Sequence, residues 1–329
     1  MKPIGTFIPE NPFFLAPMEA VNCTSFRVLC KRRGAALVYT DMIDADVFMQ
    51  YVTDYSEQEA IDKYLNPHPD EYPLVIQLGG PKAETLIQTI RILEPYAQLF
   101  DFNVGCPLGY MLGKKGGVYL MKHPQQLYKL VTQMREAITI PFMVKIRSGW
   151  DEKSINAVEV AQELEKIGVD AVTIHARTRK QRYQDKADWQ LVRKVSDVLS
   201  IPVILSGDVT NAYMAHMAFS HTKCDYIMCG RGAKQNPSIF SELANYWEHK
   251  TLPEKPKSVY VKTRESAQAD FADFLSLYSQ IEKRFIFSEI RDHALWTARG
   301  CSENKEVTQL LMDSQSVDEL QAIFDVIQF

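Results

Sequence analysis

A cysteine between glycine and proline, in Asn103-Val104-Gly105-Cys106-Pro107, is the first residue of this chain that invites a chemical reading. A lone cysteine is more often a small buried hydrophobe than a reagent. This one ends an apolar run and opens a glycine-rich loop with Gly109, Gly113, Gly116, Gly117, Lys114 and Lys115, a placement that favours a reactive group. A thiol serves as nucleophile or as general acid, and spacing does not choose between the two. Lys145 lies within Phe-Met-Val-Lys-Ile, and His175 ends Ala-Val-Thr-Ile-His. A polar residue in an apolar run needs a partner or a task. For Lys145 the bland partner is a carboxylate, and the functional one is an anionic or electron-rich ligand. For His175 the bland partner is a neighbouring strand.

Two glycine motifs point to phosphate. Ser206-Gly207-Asp208 and Gly230-Arg231-Gly232 each let backbone N–H groups approach oxygens closely, and the arginine adds bidentate charge. Ser-Gly-Asp alone is ordinary turn chemistry; the pair, in order, says more. A third cluster, Arg177, Arg179, Lys180, Arg182 and Tyr183, surrounds an aromatic with cations. It is a solvated surface, or, above a cleft, a grip on an RNA backbone.

These residues need a frame that brings them together. Short apolar runs rich in β-formers occupy 13–19, 36–41, 74–79, 99–106, 142–148, 171–177, 203–208 and 226–230. Amphipathic stretches such as 125–137, 154–167 and 189–199 separate them. Near-continuous apolar strands alternating with helices predict a parallel sheet covered by helices, and eight units in this length match a (β/α)8 TIM barrel. A doubly wound sheet is disfavoured because no Gly-x-Gly-x-x-Gly follows a strand. In such a barrel the C-terminal strand ends build the active site. Those ends carry Pro17-Met18-Glu19, Gln77, Asn103 with Cys106, Lys145 with Arg147, His175 with Arg177, Ser206-Gly207-Asp208 and Gly230-Arg231. The segment 251–257 holds two prolines and reads as a linker. Beyond it Gly300 is the only glycine, and Phe271, Phe274, Leu275 and Tyr278 show helical spacing. The predicted division is a barrel over 1–250 and a smaller all-helical C-terminal domain over 251–329.

Composition bounds the setting. The 329 residues carry a net charge of −4, which excludes a wholesale basic coat but not a local basic patch. Six cysteines (23, 30, 106, 224, 229, 301) form no C-x-x-C pair, so free thiols in a reducing compartment are expected. No leader pattern opens the chain and no run of 18 apolar residues occurs, so a soluble, cytoplasmic protein without a membrane span is expected. Nothing calls for a metal or for an obligate protein partner.

Taken in order, Ala16-Pro17-Met18, Gln77-Leu78-Gly79, Asn103-Val104-Gly105-Cys106-Pro107 with Gly116-Gly117, Val144-Lys145-Ile146-Arg147, His175-Ala176-Arg177-Thr178-Arg179 with Tyr183, Ser206-Gly207-Asp208 and Gly230-Arg231 resemble the tRNA-dihydrouridine synthase family. The likeness runs from residue 13 to about 240, and the helical tail matches the family's second domain. It implies an FMN-dependent barrel oxidoreductase that uses NADPH to reduce the C5–C6 double bond of particular tRNA uridines. By that likeness Pro17, Met18, Gln77, Lys145, His175, Ser206, Gly207, Asp208, Gly230 and Arg231 hold FMN, with Glu19 beside them at the first strand end. A hydride passes from flavin N5 to C6, Cys106 protonates C5, and Asn103 and Arg147 contact the uracil, which is turned out of the stack. Arg177, Arg179 and Tyr183 would face the RNA. The chain departs from the family at Ser206, where many relatives have asparagine, at Ala176, where glycine is common, and across 107–115 (PLGYMLGKK).

The tail offers a separate check. Over 251–329 nine basic residues face thirteen acidic ones. Arg284, Arg291 and Arg299, with Lys283 adjoining, share one face if a single helix carries them. Such a stripe binds phosphate or is salt-bridged by Glu282, Glu289 and Asp292. Two other functions compete: an FMN barrel acting on a free pyrimidine, like a dihydroorotate or dihydropyrimidine dehydrogenase, and a barrel that binds RNA or phosphate without redox chemistry. A small substrate needs neither the basic loop nor the tail.

Overall fold

Each of the eight apolar runs contains a strand in the computed structural model, which describes residues 1–251, 255, 263–299 and 305–326. The strands are β1 (Phe13–Leu15), β2 (Val38–Tyr39), β3 (Ile43–Asp44), β4 (Leu74–Gly79), β5 (Leu99–Val104), β6 (Phe142–Arg147), β7 (Ala171–His175), β8 (Val203–Ser206) and β9 (Tyr226–Cys229). Only β3, a two-residue extension that pairs with the end of β4, lies outside the predicted runs. All pairings are parallel, in the order β1-β9-β8-β7-β6-β5-β4-β2. The ring completes through a parallel bridge between Phe14 and Leu37, where Leu15 N–H donates to the Leu37 carbonyl at 2.9 Å. The result is a (β/α)8 barrel.

Strands buried on both faces explain the apolar runs. Alternate residues point inward, and Phe14, Leu37, Tyr39, Val75, Leu99, Met143, Ala171, Ile204 and Tyr226 fill the lumen, with Phe14 stacked on Tyr226 at 4.9 Å. The other face packs under the helices in the larger core. Toward the C-terminal strand ends the inward positions turn polar. Gln77 lies opposite Asp101, Asn103 opposite Lys145, Lys145 opposite Thr173, and His175 opposite Ser206.

Helix boundaries follow local caps. The helix predicted from 154 starts later, at Ala157–Ile167, because Ser154 closes a turn with Asp151 (Oγ to Oδ1, 2.8 Å) and Ile155 bridges Gly149. It ends at Gly168, whose φ of 97° a side chain would resist. Asp188 caps Trp189–Val198 through the Leu191 N–H at 3.1 Å.

The C-terminal region is helical: Arg264–Ile281, Phe287–Arg299, Lys305–Asp313 and Val317–Val326. Of the expected linker only Thr251 and Lys255 are described; Gly300 and Cys301 lie outside the described residues. The helices pack on the barrel through Arg33, which pairs with Asp270 at 3.0 Å and Asp273 at 2.6 Å, and through Lys283 with Asp62 at 2.6 Å. The single helix face suggested for Arg284, Arg291 and Arg299 does not form. The chain breaks between Ile281 and Phe287, where Glu282 accepts from Ser25 N–H and Oγ, both at 2.8 Å, so Arg284 sits in the turn. Among the described residues no helix is long and apolar enough to cross a membrane.

Candidate active site

A cavity of about 750 Å³ opens at the C-terminal end of the barrel. Its lining brings together most of the residues singled out above. Pro17, Met18 and Glu19 come from the end of β1, Gln77 from β4, and Asn103 and Cys106 from β5. Lys145 and Arg147 come from β6, His175, Arg177 and Tyr183 from β7 and its loop, and Ser206, Gly207 and Asp208 from β8. Gly230 and Arg231 follow β9. Arg179 is not in this lining; its guanidinium lies over the Trp150 ring, 4.4 Å from the centroid.

Cys106 is 9% exposed, and its carbonyl accepts from Val118 N–H at 3.1 Å. The segment after it is no open loop. Gly109–Gly113 is a short helix whose Met111 is fully buried, and the chain returns over the cysteine at Gly117. Gly117 has φ of 57°, and a Cβ there would lie 2.6 Å from the Cys106 carbonyl oxygen. Burial pushes the thiol up from its ordinary pKa, so Cys106 carries its proton at neutral pH. Beneath it, Asn103 Oδ1 accepts from Gly105 and Cys106 N–H at 3.0 and 2.8 Å, and Asn103 Nδ2 donates to Gln77 Oε1 at 2.7 Å.

Positive groups gather on β6, on β7 and its loop, and after β9. Burial, then the charges of Lys145, Arg147, Arg177 and Arg231, hold His175 well below the usual histidine range, so it is neutral. Burial and Arg147 pull the Lys145 ammonium down, and Asp101 opposes them from below. Arg147 donates to the carbonyls of Gly105 (2.8 Å), Thr178 (3.1 Å) and Arg182 (3.0 Å), fixing the loop after β7 to the cysteine strand. Arg177, placed by its spacing on an RNA-facing loop, turns inward: it is 2% exposed and bonded to the carbonyls of Gln184 and Asp185 and to Asp208. Tyr183 stays at the rim, 58% exposed, its ring 5.8 Å from the Arg147 guanidinium and 5.6 Å from that of Arg231.

Bare backbone marks the end nearest Arg231. A Cβ on Gly230 would meet nothing closer than Ala16 Cβ at 3.5 Å and Met18 Sδ at 3.7 Å, both cavity walls, so its absence leaves space for an anion to approach the main chain. Asp208 accepts from Arg231 at 2.9 Å and from Ala187 N–H at 2.7 Å, so its carboxylate is spent on orienting cations. With an apolar wall of Ala16, Met18, Met42 and Met228, the donors suit a flat polar heteroaromatic bearing a phosphate. Met42, Met228 and Lys234 are lining residues that spacing did not single out; Lys234 also lies 4.0 Å from the Trp296 ring of the tail.

A family model described as dihydrouridine synthase (Dus) matches residues 14–328. The chain is 31% identical over 328 residues to a probable tRNA-dihydrouridine synthase of Rickettsia prowazekii, spanning 98% of this chain and 97% of the relative. It is 33% identical over 245 residues to tRNA-dihydrouridine synthase B of Klebsiella pneumoniae, spanning 74% of each. A probable tRNA-dihydrouridine synthase of Rhizobium leguminosarum bv. phaseoli is 36% identical over 229 residues, 69% of this chain and 70% of its own.

Proposed function

The chain belongs to the dihydrouridine synthase family, and from that premise we propose that it reduces the C5–C6 double bond of particular uridines in tRNA. What supports the reading most is the meeting, in one cavity, of a protonated cysteine with a cationic wall that ends in bare glycine backbone. Gly207, Gly230 and Arg231 suit the phosphate of FMN, with Ser206 alongside and Asp208 holding Arg231 in place. Gln77, Lys145 and His175 suit the polar edge of its ring, and Pro17 and Met18 its face. Held by these residues, FMN would supply hydride-transfer chemistry, with NADPH as the reductant that recharges it.

The remaining work falls to the chain. Cys106 gives its proton to C5, and the thiolate it leaves recovers one from solvent. Asn103 and Arg147, beside it, hold the uracil so that the two hydrogens arrive at adjacent carbons. A base inside a helix does not reach a thiol as buried as that of Cys106, so the uridine leaves its stack, and the exposed Tyr183 ring is placed to shelter the opening it makes. The helical tail after residue 251 would serve as the tRNA-binding domain, and the cytoplasm as the place of work.

The test is anaerobic. The flavin-loaded protein is reduced, mixed with unmodified tRNA transcript, and followed by flavin absorbance and RNA mass. Reoxidation with a two-hydrogen gain on one uridine is the expected result. Reoxidation by a free pyrimidine or enone but not by tRNA would favour a small-molecule oxidoreductase, and a protein that takes up no flavin would favour a binding barrel.

A further inference from the structure

The hydrogen bonds under Cys106 lead to a residue that does not line the cavity. The N–H groups of Gly105 and Cys106 only donate, so Asn103 must turn Oδ1 toward them. Its Nδ2 then faces Gln77, which must answer with Oε1. That commits Gln77 Nε2 to Asp101, whose Oδ2 accepts it at 2.6 Å. An amide offers a donor at one end and an acceptor at the other, so each link is oriented by the next. The last link has to offer an acceptor to Gln77 Nε2; a methyl would leave that donor orphaned.

Asp101 is fully buried, and its second oxygen, Oδ1, has no hydrogen-bond partner among the described residues. A carboxylate in a barrel lumen is costly unless it serves the surrounding structure. Lys145, on the next strand and the same face, supplies the opposing charge. The sequence signal is the one that exposed Lys145: a charged residue within Leu-Phe-Asp-Phe-Asn, two positions before Asn103.

We propose that Asp101 is a positioning residue for Cys106: its Oδ2 orients the Gln77 and Asn103 amides and, through them, holds the Gly105–Cys106 backbone where the thiol faces the cavity. The inference rests on the reading of Cys106 as proton donor and names what sets the donor's place. Asp101→Asn keeps an acceptor for Gln77, whereas Asp101→Leu, of similar size, removes it. Gln77→Met breaks the same chain one link nearer the cysteine.

The direct readout uses the full chain without cofactor: the rate of Cys106 alkylation by iodoacetamide, resolved by peptide mass spectrometry. Asp101→Leu and Gln77→Met should each alter that rate at least fivefold, the double variant should add nothing, and Asp101→Asn should stay within twofold of the parent. In the flavin-loaded protein Asp101→Leu should lower kcat for tRNA at least tenfold while KM moves less than threefold. If Asp101→Leu does not fold, Gln77→Met against Asp101→Asn carries the comparison. Equal alkylation rates throughout, effects that multiply in the double variant, or an Asp101→Asn rate as altered as that of Gln77→Met would each overturn the proposal. A relay intact by alkylation in a protein that never turns over tRNA would refute the enzymatic reading alone.

Discussion

Asp208 grips Arg177 with both carboxylate oxygens, at 2.7 and 2.8 Å, and shares Oδ1 with Arg231 at 2.9 Å. One side chain therefore ties the loop after β7, the loop after β8 and the residue following Gly230. Arg177 is buried, so removing its partner leaves an uncompensated charge away from water. Asp208→Ala should cost about 3 kcal/mol, read from urea unfolding by circular dichroism. It should also weaken FMN binding, because Arg231 loses its anchor. A loss of stability below about 1 kcal/mol would mean that water reaches Arg177 readily.

Cys106→Ala separates binding from chemistry. The thiol is one wall of the cavity and not its anion end, so FMN should bind with a dissociation constant within about threefold of the parent's. Product formation should fall by about 10²–10⁴, the usual share of a positioned general acid. Dihydrouridine appearing at the parent rate would remove Cys106 from the mechanism.

The pH dependence has a defined sign. Burial raises the thiol above its ordinary 9.0, so the proton-donating form persists through neutral pH and is lost only on the alkaline side. Single-turnover reduction of tRNA should be flat in its thiol-dependent part from pH 6 to 8. Cys106 alkylation in the same protein should reach half its maximum only beyond 9.0. Half-maximal alkylation below neutral pH would show a thiolate at rest, which suits a nucleophile and not an acid.

Gly117 admits no side chain. With φ of 57° and a Cβ position 2.6 Å from the Cys106 carbonyl and 2.9 Å from Met111 Cγ, alanine there must push the cysteine or the buried methionine aside. Gly117→Ala should lower turnover at least tenfold and stability by about 1–3 kcal/mol. Turnover and stability both unchanged would mean that the loop relaxes without moving the thiol.

The strands were legible because a parallel barrel buries both of their faces and leaves continuous apolar runs. β3 was not, since two residues in a turn carry no periodicity. Cys106, Lys145 and His175 stood out as polar groups in those runs. Asp101 carries the same mark, but its partner, Gln77, sits on another strand, and spacing within one strand does not reveal it. The basic loop shows the limit most clearly. Arg177, Arg179 and Tyr183 read as one cluster, yet Asp208 draws the first inward, Trp150 takes the second, and only the third reaches the rim. Each partner comes from elsewhere in the chain. The arginine stripe of the tail failed for a similar reason: Glu282 is held by Ser25 across the interface, and the helix breaks there.

His293 joins the tail to the barrel and makes that joint sensitive to acid. It is buried between Phe274 at 4.1 Å, Phe26 at 4.9 Å and Trp296 at 4.9 Å, and its Nε2 donates to the Val21 carbonyl at 3.2 Å. Burial holds its pKa at about 3, against an ordinary 6.5. The unfolded chain takes up a proton below 6.5 and the folded chain does not until about 3, so stability is complete above 6.5 and declines as pH falls. Between pH 7 and 5 the loss from this residue comes to about 2 kcal/mol. Asp41 runs the other way: burial raises it to about 6, so the folded chain protonates first and gains about 1 kcal/mol over the same interval. Comparison with His293→Gln, which retains a donor for Val21 and keeps Asp41, cancels that term. The stability difference between parent and variant should shrink by about 2 kcal/mol from pH 7 to 5. A difference that does not change with pH would mean that His293 takes its proton without leaving the aromatic cage.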